Sequence, residues 1–443
     1  MTDNMCVGKK CEEKRRMIIR KIQYAILWKI HFGLGRRYKI NMDKTPRYNR
    51  IAKILESNMK IEPQDVTNVN LNLEEKELII NMCEVANAHI YENKISSILI
   101  SRVKELIESN NIGFELLEII EDLAICSGLY QFAYEVRELA EEKLVEKYSK
   151  RKKISSYDVV PVFWTYINRN DYNSALRVQE RCSIFYRMFF KKELDFLMKL
   201  INNESCGELV KKQREEDLTF EKIVKEKKIL VVGPTNGKED VKKYLDKSDV
   251  IISMTYRNNL MIDKKNHKHI SYYNIMNVNL LGEDVLEKYV KDLDMAVFKA
   301  IRFPVQEKLI SQKKARMSLG GATTFRNKKE GIYFNFLYFY KSEGNLLQKI
   351  LLDIILFEPK EITVTNVNLF LAKKRYNDKY LISGVKRDLN SDRIAFVQHN
   401  LINMYLMTKL LYDRNVIKVD AELKEVLELG VKRYMQAIEE IGL

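Results

Sequence analysis

Gly233-Pro234-Thr235-Asn236-Gly237 follows the apolar run Ile229-Leu230-Val231-Val232 and precedes a charged segment with helical spacing, residues 238–247. A strand, a glycine-bearing loop and a helix form the usual entrance to a nucleotide-binding layer. A phosphate-cradling P-loop needs G-x-x-x-x-G-K-[ST], so that backbone amides curl around the phosphate and a hydroxyl holds Mg²⁺. Here the two glycines are one residue too close, and Glu239 stands where Ser or Thr is required. A carboxylate at that point repels phosphate. The dinucleotide fingerprint G-x-G-x-x-G also fails. The next strand ends in Ser253, Tyr256, Arg257 and Asn258, with no acidic residue for a ribose. What remains is a turn whose amides, with the side chains of Thr235 and Asn236, can meet a nucleotide's sugar or base; a tight turn without ligand reads equally well.

A second group lies at 342–399. Ser342-Glu343-Gly344 opens a strongly apolar helix, and the strand read at 361–371 leads into a basic loop with Lys373, Lys374, Arg375, Tyr376 and Tyr380. A helix N-terminus offers free N–H groups and partial positive charge. Tyrosine hydroxyls and lysines after a strand can hold a leaving phosphate without a metal. His399 stands alone before a long amphipathic helix; its imidazole titrates near neutral pH, which suits a general base. Two metal readings are weaker. Asp292 and Asp294 precede an apolar run and read as a strand entry, and His267 and His269 read as a solvated loop without a ligand cluster.

These groups need elements to place them. From about 225 onward, β-rich runs (residues 228–234, 249–256, 268–275, 295–301) alternate with helical ones, which predicts an α/β layer with a mainly parallel, Rossmann-like sheet over 225–443. Such sheets bind ligands at the carboxyl ends of their strands. Helical spacing dominates 61–215, an all-helical domain of helical-hairpin, repeat-like character. Tyr130-x-x-Ala133-x-x-Val136 recurs 42 residues later as Tyr172-x-x-Ala175-x-x-Val178, each after a turn-like stretch.

Composition bounds the whole. The 443 residues carry six scattered cysteines and no secretory signal pattern, which fits a reducing, cytoplasmic setting. The net charge of +15 is concentrated at residues 1–60, with 16 Lys/Arg against 5 Asp/Glu. The folded body therefore lacks the basic surface of a nucleic-acid binder. Within that segment, residues 14–39 place Ile18, Ile22 and Ala25 on one helical face, flanked by Arg16, Arg20 and Lys21. Such a helix either lies on an anionic membrane, peripheral to the inner face of the plasma membrane, or packs on its own protein. Composition does not set the oligomeric state.

In order along 228–440, the Gly-Pro turn (VVGPTNG), the strand SDVIISMTYRN, the Ser-x-Gly helix start leading to PKEITVTNVNLF, and a His before a helical close resemble the bacterial sialyltransferase-like glycosyltransferases, which use CMP-activated sugars. The resemblance implies nucleotide contacts from Gly233, Pro234, Thr235, Asn236, Ser253, Asn258, Ser342 and Gly344, phosphate contacts from Tyr376 and Tyr380, and His399 as base. It implies inverting transfer without a metal, from a sialic-acid- or Kdo-like nucleotide sugar to a glycan or lipid-linked acceptor of a surface polysaccharide. The turn is Gly-Pro-Thr-Asn-Gly rather than the family's Asn-Gly-Pro-Ser type, and Met404 stands where an acidic residue often follows the histidine. The rival readings are a metal-dependent UDP- or GDP-sugar transferase, a non-enzymatic helical scaffold with a degenerate α/β part and, third, a nucleic-acid-binding role.

Overall fold

The computed structural model describes residues 47–67, 71–92, 97–109, 112–155, 158–182, 195–209, 215–255, 266–274, 290, 292–301, 324–329, 345–372, 393, 395–396 and 399–442. The described residues before 225 are helical or in turns. The helices are α1 (Arg47–Glu56), α2 (Pro63–Val66), α3 (Leu73–Glu92), α4 (Ser97–Ser109), α5 (Phe114–Ser127), α6 (Tyr130–Ser149), α7 (Val159–Asn168), α8 (Tyr172–Arg181) and α9 (Glu215–Val224). Helices α3/α4, α5/α6 and α7/α8 pair as successive hairpins, each stacked on the next. The Tyr-Ala-Val echo has a structural basis. Gly128 (φ 82) and Asn170 (φ 55) each end a first helix in the left-handed conformation, and Tyr130 and Tyr172 each begin the second. Ala133 and Ala175 are buried at the hairpin seams, where a small side chain permits close helix approach.

The sheet follows: β1 (Lys228–Val232), β2 (Val250–Met254), β3 (Lys268–Asn274), β4 (Met295–Ile301), β5 (Thr324–Lys329), β6 (Glu361–Thr365) and β7 (Lys418–Val419). Its order is β5-β4-β3-β2-β1-β6-β7, and every pairing is parallel. The α/β class with a Rossmann-like parallel sheet is therefore present. Between the strands lie α10 (Lys242–Leu245) and α11 (Leu346–Ile355); α12 (Leu401–Asp413), α13 (Ala421–Glu428) and α14 (Val431–Glu440) close the chain. No helix among the described residues is long and apolar enough to cross a membrane.

The two faces of the sheet differ. Ile229, Val231, Val250, Ile252, Ile270, Tyr272, Met295, Val297, Ile362 and Val364 belong to one continuous apolar core that also takes in the helical hairpins and α11 to α14. The Tyr272 hydroxyl donates to Asp353 of α11 at 2.7 Å, and Gln348 of α11 donates to Thr408 of α12 at 2.9 Å. The opposite face carries a small cluster of Leu230, Val232 and Ile251 under Val241, Tyr244 and Leu245.

Three expectations are corrected. The helix after the β1 loop is one short piece, Lys242–Leu245, because Lys238 N–H is drawn off to Glu422 and Asp240 binds Lys242 N–H. The strand read over 361–371 ends at Thr365, since Asn366, Leu369 and Phe370 all take positive φ. His269 is no loop residue; it lies buried in β3, with Nε2 2.9 Å from the Ser253 hydroxyl.

Candidate functional site

Chain direction reverses across the sheet at β1. The chain moves from β1 outward to β5, then returns past β1 to β6 on its other side. The loops that leave β1 and β6 therefore face each other at the carboxyl edge, the switch point where open parallel sheets take ligands.

There the two loops are joined. Gly233 N–H donates to the Thr365 carbonyl at 2.8 Å, and Thr235 N–H donates to the Asn366 carbonyl at 3.2 Å. A Cβ on Gly233 would overlap the Asn366 carbonyl oxygen and Val367; one on Gly237 would overlap the Asn366 side chain. Both glycines thus serve the close approach of two loops. Asn366 is left-handed (φ 57). It is held there by Asp420, whose Oδ2 accepts from Asn366 N–H at 2.8 Å and from the Thr365 hydroxyl at 2.9 Å. Asp420 also caps α13 through Leu423 N–H at 2.8 Å and is fully buried. Thr255 after β2 (φ 54), with Leu369 (φ 47) and Phe370 (φ 72) after β6, adds three more non-glycine residues in this sparsely populated region. Each costs about 1–3 kcal/mol, and such strain gathers at sites that hold ligands.

The charges at this edge are acidic. Glu239 accepts from the Tyr244 hydroxyl, pairs with Lys243 at 2.6 Å and accepts from Ala421 N–H at the start of α13. Lys243 first, then Tyr244, holds its carboxyl below the usual range. Asp420 and Glu239 together occupy the start of α13, so this corner disfavours phosphate. In the midst of it, Thr235 is 5% exposed and its hydroxyl has no hydrogen-bond partner among the described residues. A buried hydroxyl left unpaired costs about 1–3 kcal/mol, which a ligand acceptor or donor would recover.

The predicted residues divide. Gly233, Pro234, Thr235 and Asn236 lie together in the β1 loop, Asn236 exposed and Pro234 half-buried. Ser253, at the end of β2, is buried on the sheet's second face against His269. Asn258, Ser342, Gly344, Tyr376 and Tyr380 lie outside the described residues. Asn345, next after Gly344, caps α11 by accepting from Leu346 N–H at 2.6 Å. Asp294 enters β4 as a structural acid: it accepts from His269 N–H at 2.8 Å and pairs with Lys268 at 2.9 Å.

His399 is half-buried and helical. One turn before it, the Phe396 ring meets Phe370 of the β6 loop at 5.1 Å and Tyr130 of α6 at 5.8 Å. One residue after it, Asn400 (φ 42) caps α12 through Asn403 N–H and donates to Glu121 of α5 at 3.0 Å. Glu121 is bound by two donors of the Arg137 guanidinium, at 2.6 and 2.5 Å, both side chains buried; Arg137 also reaches Asn403 at 3.3 Å. The residues on either side of His399, Phe396 and Asn400, are thus held by the β6 loop and the helical hairpins. Sequence patterns announced none of Asp420, Asn366 or the Glu121–Arg137 pair as part of this assembly. An Asp three residues before Leu423 marks a helix start, but not which loop it holds.

Glu141, beside Arg137 on α6, accepts from Asn168 at 2.8 Å, and its other oxygen has no partner among the described residues. Burial pushes its carboxyl up to about 7, against the opposing pull of Arg137, Asn168 and Arg169; Glu121 adds to the rise. The fold thus holds a proton that the unfolded chain releases near pH 4.5. The contribution of Glu141 to stability is full below that pH and falls as pH rises to about 7, by roughly 3 kcal/mol. Glu141→Gln is expected to remove this contribution, so that the urea midpoint at pH 8 rises relative to that at pH 5 when compared with the unchanged chain.

No protein-family model, curated protein or solved structure matches the chain.

Proposed function

We propose that the chain is a glycosyltransferase that moves a CMP-linked sugar, sialic-acid- or Kdo-like, to a glycan or lipid-linked acceptor of a surface polysaccharide, with inversion and without a metal. The observation that carries this reading is the switch-point corner, where the buried Thr235 hydroxyl has no partner among the described residues and sits among strained, tightly joined loops. The acidic surroundings favour the nucleoside end of a donor there. Tyr376 and Tyr380 would hold its phosphate, as the resemblance implies. The acceptor hydroxyl would give its proton to His399 and attack the anomeric carbon. The bond from that carbon to the phosphate oxygen would break, and CMP would leave with the electron pair. Residues 61–215, read as an all-helical part, would hold His399 and the acceptor.

One observation favours the second reading, a helical scaffold with a degenerate α/β part: Asn366 fills the notches that Gly233 and Gly237 leave. A donor screen separates the two. Nucleotide release with acceptor present is expected from CMP-sugar, not from UDP- or GDP-sugar, and is unchanged by EDTA. His399→Ala is expected to lower transfer about a hundredfold while donor affinity holds. Thr235→Val, which removes one hydrogen bond of about 1 kcal/mol, raises the donor Kd about fivefold. Failure of all three nucleotides to bind in calorimetry would establish the scaffold instead.

A further inference from the structure

Among the described residues two arginines are buried, Arg137 on α6 and Arg393 six residues before His399. Each spends Nη1 on an oxygen of another element: Arg137 on the Asn403 side chain at 3.3 Å, Arg393 on the Ile90 carbonyl at 3.4 Å. They differ at the opposite edge. The Nε and Nη2 of Arg137 hold the two oxygens of Glu121 at 2.6 and 2.5 Å. The same edge of Arg393 meets no carboxylate among the described residues, and its Nε has no hydrogen-bond partner among them.

Arg393 is 2% exposed. A guanidinium stays charged near neutral pH, and burying one costs several kcal/mol unless it is paired. Its surroundings offset only part of that. Ile90 lies near the carboxyl end of α3, and a helix C-terminus contributes about 0.3–2 kcal/mol toward a cation. The Cys126 thiol also faces it, but burial pushes that thiol up to about 12, so it supplies no negative charge. His89 stands next to Ile90. A carbonyl only accepts, so His89 Nδ1 donates to the Ser127 carbonyl at the end of α5, and Nε2 is left for a further proton. Burial first, then the Arg393 charge, holds this imidazole below its ordinary range. The ring is half-buried, so the pair is not sealed from solvent.

We propose that Arg393 and His89 form a binding site for one oxyanion, a carboxylate or a phosphate, which takes the Nε–Nη2 edge of Arg393 as Glu121 takes that of Arg137. The planar fork matches two oxygens of such a group. A bound anion offsets the Arg393 charge, so His89 takes up a proton more readily. It also ties the ends of α3 and α5 to the residues that lead into α12. The proposal holds for the transferase and the scaffold alike.

The test uses the full chain at fixed ionic strength, with chloride replaced by acetate or by inorganic phosphate. The basic segment 14–39 lies outside the described residues and is a second place for phosphate to gather, so the effect is read as a difference between the unchanged chain and Arg393→Met. At about ten times its Kd, the anion is expected to raise the unfolding midpoint of the unchanged chain by about 2 °C and to leave that of Arg393→Met in place. In chloride, Arg393→Met should be at least as stable as the unchanged chain, since it removes a buried cation without a countercharge. A response to acetate alone marks a carboxylate site, and one to phosphate alone a phosphate site. Should Arg393→Met not fold, histidine NMR of the unchanged chain still decides. Of the five histidine signals, the one absent from His89→Gln should move saturably with the anion, and its pKa should rise. An equal gain in Arg393→Met, or a His89 signal that neither anion moves, would overturn the site. So would a loss in Arg393→Met as large in chloride as in phosphate, which would make the guanidinium a contact between elements and nothing more.

Discussion

Arg137→Met is expected to destabilise the fold by about 3–5 kcal/mol, because it leaves the Glu121 carboxylate buried without its countercharge. Both side chains are nearly inaccessible, so water cannot replace the two lost hydrogen bonds. The partner change is the informative one. Glu121→Leu together with Arg137→Met removes both charges and should recover much of the loss, since a buried ion pair contributes little beyond an apolar pair of similar volume. Recovery should stop about 1 kcal/mol short, because Asn400 and Asn403 lose their partners across the helix interface. Urea midpoints of the four proteins give the cycle. If the single change costs less than 1 kcal/mol, the pair is not buried as described. The same variants address His399. A double variant that regains stability but not transfer would assign the Glu121–Arg137 pair a positioning role, with the effect on kcat rather than KM.

Gly233→Val should cost about 3 kcal/mol or more, since the obstructing atoms include the Asn366 carbonyl, which is backbone and cannot rotate away. The β1 and β6 loops would have to part, breaking Gly233 N–H to Thr365 and Thr235 N–H to Asn366. Gly237→Ala meets a side chain instead and should cost less, about 1 kcal/mol. Gly113→Ala is the control; nothing lies within 4 Å of its Cβ, and a helix N-cap loses under about 1 kcal/mol by that change. Denaturation midpoints rank the three. Equal losses at 113 and 233 would remove the joined-loop account of the corner.

The parts of this fold that were legible in sequence are those where local pattern and final environment agree. Strands β1 and β2 are buried on both faces, so they read as short unbroken apolar runs, as parallel strands do; β6, Glu-Ile-Thr-Val-Thr, reads instead as an alternation with one partly covered face. The hairpins read through their periodicity and through Tyr130 and Tyr172, each of which opens a second helix. Strand β5, Thr-Phe-Arg-Asn-Lys-Lys, gives no such pattern, since an edge strand needs little apolar sequence. The end of β6 was misread because its cause is distant: Asp420, 54 residues on, imposes the turn at Asn366. The β1 loop was found from its glycines, though for the wrong physical reason. They were read as a turn for a nucleotide's sugar or base, and they admit a neighbouring loop. Charged groups such as Arg137, Glu121 and Glu141 look like surface residues by type, and only the packing of α5, α6 and α12 buries them.

That packing has a consequence for the order in which the protein can be made. The Gln131 amide waits for Glu439, 308 residues later, and Arg137 and Glu121 wait for Asn400 and Asn403. At 5–20 residues per second, the hairpins would emerge from the ribosome roughly 15–60 s before the helices that complete their core. Throughout that interval Tyr130 and the charged pair face solvent or a chaperone. A nascent chain that ends before α12 should therefore be held by chaperones and open to proteases.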